Sequence, residues 1–124
     1  MVTVAALGVL LLGFLAVFQV ALVAGAPWGR LAWGGQHVVL PTAFRVGSVV
    51  SIVGYAVVAL VLLDAATATD VLPEGFVDVS IRVLTGYFAL GVLMNAVSRS
   101  RPERLVMTPV AVALTVVCLV LALG

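Results

Sequence analysis

Four long apolar stretches separated by three polar connections set the pattern of this chain. Residues 2–24 carry no charge, and Thr3 and Gln19 are their polar side chains. At about 1.5 Å per residue, that run is long enough to cross a hydrocarbon layer about 30 Å thick. The second stretch covers 43–63, with Arg45 near its start. The third covers 76–97, with Asp78 and Arg82 near its beginning, and the fourth covers 105–123. Leu and Ala favour helix, and the many valines are tolerated where lipid leaves the backbone no other way to pair. A transmembrane barrel would instead show short segments alternating polar and apolar residues, and that period is missing. The pattern predicts an all-α fold: a polytopic membrane protein with a four-transmembrane-helix bundle, one domain over residues 1–124.

The first stretch ends on Ala24-Gly25-Ala26, small residues of the kind found at signal cleavage sites. It has no basic segment before it and is longer than a usual signal core, so it reads as a retained helix. The connections differ in character. The first, 25–41, is rich in glycine and tryptophan; the second, 64–76, carries Asp64, Asp70 and Glu74; the third, 98–104, is a short basic turn. Pro102 suits the first turn of the last helix and Ser100 its cap, whereas Pro109 lies deep enough to kink it.

Arginine placement orients the pattern. Arg30, Arg45, Arg99, Arg101 and Arg104 belong to the first and third connections, and Arg82 alone to the other side. The positive-inside rule then predicts a multi-pass protein of the cell membrane, with loops 25–41 and 98–104 in the cytoplasm and both termini outside.

Composition sharpens this reading. The 124 residues are 65% hydrophobic and 9% charged, with a mean hydropathy of +1.36. A soluble domain carries about 25% charged residues, so lipid is the solvent that suits this surface. All basic residues are arginine, and the Ala-, Val-, Gly- and Leu-rich composition suggests a GC-rich bacterial gene. A net charge of +1 provides no basic patch for nucleic acid, which is not expected as a partner. The single cysteine, Cys118, allows no internal disulfide and reads as packing.

Given that orientation, the polar residues gather at the cytoplasmic side. Gln19 lies in the inner half of the first stretch, Arg45 and Ser48 open the second, and Asn95 closes the third. Arg30, Trp33 and His37 belong to the first connection. Buried amides and guanidinium groups need partners, so these seven residues form a candidate ligand-binding set. The bland reading stays open beside it. Gln and Asn bridge helices, arginines near helix ends snorkel to headgroups, and Trp28 and Trp33 anchor at interfaces. His37 has no neighbouring Cys, Asp or Glu at metal-ligand spacing, so neither a metal nor a cofactor is expected. The glycines of the first connection follow no strand and precede no Gly-Lys-Ser/Thr, so they are not a nucleotide loop. No catalytic constellation can be assembled, and an enzyme is the least favoured class. Gly47, Ser51 and Gly54 form a small-residue stripe that predicts a close helix contact, within the bundle or between subunits.

Two stretches carry a resemblance: Gly25-Ala-Pro-Trp-Gly-Arg-Leu-Ala-Trp-Gly-Gly-Gln-His37, and Met94-Asn-Ala-Val-Ser-Arg-Ser-Arg-Pro-Glu-Arg104 leading to Met107-Thr-Pro109. Together they resemble an uncharacterised family of small bacterial four-helix integral membrane proteins. The resemblance implies the fold, and no ligand or activity comes with it. Two functions are expected in order. The first is binding or transport of a small molecule, lipid or anion at the cytoplasmic side. The second is a structural or regulatory subunit, partnered in the bilayer by copies of itself or by a larger membrane complex.

Overall fold

Apolar side chains recurring every three or four residues give a helix one face to bury. Helix α1 (Val2–Val23) buries such a seam: Ala5, Gly8, Leu12, Leu15, Phe18, Gln19 and Leu22. Helix α4 (Arg101–Leu123) buries another, running from Glu103 through Met107, Ala111 and Leu114 to Cys118 and Leu121. Helices α2 (Thr42–Thr67) and α3 (Glu74–Ala96) bury fewer residues and flank that pair. The computed structural model describes residues 1–67 and 71–124, and Glu74 by its backbone alone. Asp70, read above as part of the acidic connection, lies outside the described residues.

The chain is all-helical, and its four helices are each long and apolar enough to cross a membrane. They form two hairpins, with α1 packed extensively on α2 and α3 on α4. Contact between α1 and α4 joins the hairpins, and contact between α2 and α3 is slight. Gly8 sits where α1 meets both neighbours. A Cβ there would stand 2.8 Å from Leu62 Cδ1 and 2.9 Å from Val117 Cγ1.

Helix ends run further into polar sequence than the apolar stretches suggest. Helix α2 continues past residue 63 to Thr67 and takes in Asp64, whose Oδ2 accepts the Leu72 N–H at 2.8 Å. Helix α4 starts at Arg101, because Ser100 is extended (φ −80°, ψ 114°) and Pro102 fits the first turn. Pro109 lies inside α4 without ending it. Lacking an N–H, it removes the usual donor to the Leu105 carbonyl. Helix α1 ends on Gly25, at φ +96°, with Gly25 N–H on the Leu22 carbonyl and Ala26 N–H on the Ala21 carbonyl. That left-handed glycine closure satisfies carbonyls the last turn leaves open.

Within the chain, the small-residue stripe of α2 meets an indole at Gly47 rather than a helix. A Cβ on Gly47 would meet the Trp33 ring at 2.8 Å, Ser51 donates to the Gly47 carbonyl at 3.0 Å, and Gly54 has open space around it. Gly47 thus admits an indole from the first connection, because that connection folds back over the end of α2.

Candidate functional site

The first and third connections meet at one end of the bundle, the end that carries most of the arginines. Two short 3₁₀ turns, Gly29–Leu31 and Trp33–Gly35, shape the first connection. Gly29 donates to the Val38 carbonyl at 2.8 Å, closing the loop on itself. Trp33, Gly34 and Gly35 follow one another with φ of 53°, 75° and 72°. Glycine adopts this left-handed region freely, but an indole-bearing residue does so only when its surroundings hold it there. The holding contacts are clear. Trp33 stacks on Phe44 with ring centroids 5.3 Å apart, and its Nε1 donates to Ser48 Oγ at 3.5 Å. Gly35 lies against Ser100, whose hydroxyl donates to the Arg30 carbonyl, so the two connections are latched together.

Above this latch lies a cavity of about 490 Å³. Its body is apolar, with Leu15, Phe18, Met107, Val110 and Leu114 among its walls. Its lining residues with polar side-chain atoms are Gln19, Trp33, Tyr55, Tyr87, Asn95 and Glu103. On the α3 side its lining residues Tyr87, Leu90 and Met94 are 65%, 57% and 62% exposed.

The hydrogen bonding around these polar groups is incomplete. Gln19 is 7% exposed, and its Nε2 donates to the Tyr55 hydroxyl at 3.4 Å. Asn95 Nδ2 donates to the Gly91 carbonyl at 2.8 Å. Glu103 is 7% exposed, with the Ser98 hydroxyl and the Gly34 N–H as its polar neighbours. Among the described residues, three side-chain atoms are buried with no hydrogen-bond partner: Thr108 Oγ1, away from the cavity lining, and Gln19 Oε1 and Glu103 Oε2, both of residues that line it. A buried polar atom left unpaired costs about 1–3 kcal/mol, so two of them beside one cavity call for an explanation.

The candidate residues divide in two. Gln19, Asn95 and Trp33 line the cavity. Ser48 is fully buried beneath Trp33 as its acceptor. His37 packs on Phe44, with ring centroids 5.5 Å apart, and Arg30 is exposed and contributes its carbonyl to the latch. Arg45 turns away from the cavity. Its Nε donates to the Leu40 carbonyl at 2.8 Å, and its Nη2 would stand 3.5 Å from a Cβ on Gly25. The guanidinium therefore lies at the carbonyl end of α1, where a cation is favoured.

The chain matches no known family model, curated protein or solved structure.

Two cavity residues escape a reading of the sequence, Glu103 and Tyr55. Ser100-Arg101-Pro102-Glu103 has the spacing of a capping box, in which the glutamate would bond back to the serine N–H. Here Ser98 Oγ accepts that N–H at 3.2 Å. Glu103 is thereby left for the cavity. The signal that could have found it is the presence of a second serine, Ser98, able to take over the capping role.

Proposed function

We propose that this chain is a multi-pass membrane protein that binds a small amphiphilic molecule at the cytoplasmic side of the bilayer. The four apolar helices support insertion, and the arginine asymmetry supports an orientation with connections 25–41 and 98–104 in the cytoplasm and both termini outside. In that setting the latched end of the bundle meets the headgroup region, and the exposed α3 side of the cavity faces acyl chains. A ligand with a polar head and an apolar body could then enter sideways from the lipid. Its head would reach the Gln19–Asn95–Glu103 end, and its body would lie among Leu15, Met107 and Leu114. The observation that carries the reading is the pair of unpartnered buried oxygens at the polar end of an otherwise apolar cavity. Binding sites share this form, an apolar pocket with a few convergent polar groups.

Two measurements test the proposal. Single cysteines at Ala66 and Ser100, in a Cys118→Ala background, label from opposite sides of the membrane with an impermeant thiol reagent. Labelling of both from outside would overturn the topology. Gly91 lines the cavity, and a Cβ on it meets nothing within 4 Å. Gly91→Phe therefore fills the space without a backbone clash. Native mass spectrometry of the protein released from membranes should show a small molecule retained by the parent chain and absent from Gly91→Phe. Equal retention by both would place the molecule elsewhere.

A further inference from the structure

Resting on that reading, we infer that the head of the amphiphile is an ammonium group carrying N–H donors, rather than an anion or a neutral alcohol. The cavity's lining holds a single charged side chain, the carboxylate of Glu103, among the described residues. One N–H of each amide is engaged, that of Gln19 by the Tyr55 hydroxyl and that of Asn95 by the Gly91 carbonyl. The fully buried atoms at the cavity that lack any partner are both acceptors, Gln19 Oε1 and Glu103 Oε2.

The nearby cations do not answer that carboxylate. Arg45 donates to the Leu40 carbonyl at 2.8 Å, and Arg104 Nη1 donates to the Ser98 carbonyl at 3.0 Å. Burial works against a charge on Glu103, the Ser98 hydroxyl and the Gly34 N–H favour it, and Oε2 still lacks a partner. An ammonium has three N–H donors and no acceptor, so it complements two free acceptors and a negative charge. A phosphate or carboxylate head would instead place acceptor against acceptor and like charge against Glu103, in a region of low dielectric. The same chemistry is available from two sources, an aminolipid headgroup or a free alkylamine.

The experiment compares three heads on one tail. Protein with Trp28→Phe, which leaves Trp33 as the sole indole, is placed in phosphatidylcholine nanodiscs. It is titrated with dodecylammonium, dodecanol and dodecyl phosphate while Trp33 fluorescence is followed. Dodecylammonium is expected to bind at least tenfold more tightly than the other two. Glu103→Gln, close to isosteric, should remove about tenfold or more of that preference while leaving dodecanol unchanged, the scale of a charged hydrogen bond. Gln19→Leu should give a smaller loss in the same direction. Repeating the titration with phosphatidylethanolamine in the disc separates the sources. Weakened dodecylammonium binding points to the aminolipid, and unchanged binding points to a free amine. Equal affinity for all three heads, or a preference that survives Glu103→Gln in a chain with unaltered circular dichroism, overturns the ammonium assignment and leaves the cavity reading standing. Tightest binding of dodecyl phosphate overturns it too. No response to any head, with Gly91→Phe indistinguishable from the parent, overturns both.

Discussion

Two carboxylates are buried among the described residues, one near each end of the bundle. Asp64 is 5% exposed and Glu103 is 7% exposed. Asp64 accepts the Leu72 N–H at 2.8 Å, which ties the end of α2 to the chain leading into α3. Glu103 sits at the opposite end, in the first turn of α4, beside a cavity and with Oε2 unpaired. Burial alone does not separate the two, and partners do. A carboxylate whose bond closes a turn belongs to the fold. One with an oxygen left over at a cavity is a group the fold has left available to something else.

Three substitutions can break or sharpen that contrast. The largest effect is expected at the latch that holds Glu103 in place. Gly35→Val would set a β-branched residue at φ +72° and overlap Ser100. Left-handed strain and overpacking together should lower stability by about 2–4 kcal/mol, read as thermal unfolding in nanodiscs. A variant as stable as the parent would mean that the two connections are not docked.

Next in size is Asp64→Leu. It leaves the Leu72 N–H without its acceptor, and a loss of about 1–3 kcal/mol is expected by the same assay. Asp64→Asn keeps an acceptor and should recover part of it.

The smallest effect is expected for Glu103→Met, although this removes an equally buried charge. Replacing an incompletely paired buried carboxylate with an apolar side chain of similar size is often neutral or stabilising, so stability should stay within about 0.5 kcal/mol of the parent or rise. A fall comparable to that of Asp64→Leu would make Glu103 a structural residue and erase the contrast.

Much of the fold was legible because lipid-compatible helices announce themselves through length and apolarity alone. All four stretches became helices, and misjudged ends lay where polar residues continue a helix, as at Asp64. That Gln19 and Asn95 lie towards the same end was legible from their positions along the first and third stretches, and that Trp33 joins them from its place in the first connection. Their neighbours were not. Arg45 reads as a ligand-facing cation, yet it turns to the Leu40 carbonyl and the end of α1. That choice depends on where Gly25 reverses the chain. In the sequence Glu103 is the one acid of the basic turn 98–104. In the fold it is buried, with Gly34 of the first connection beside it. The small residue at Gly47 signalled close approach, and within the chain it is an indole that approaches there. Each of these depends on contacts distant in sequence, which local pattern does not encode.

The central claim is that the cavity, rather than the outer apolar surface, receives the amphiphile. A dodecylammonium bearing a photoreactive diazirine on its tail tests this directly, with the crosslinked residues mapped by peptide mass spectrometry. The account predicts labels on the cavity faces, at Leu15 and Phe18 of α1, Leu90 to Met94 of α3 and Met107 to Leu114 of α4, and their disappearance in Gly91→Phe. Labels spread along the exposed valines of α2, such as Val46, Val50, Val53 and Val57, and unchanged in Gly91→Phe, would contradict it.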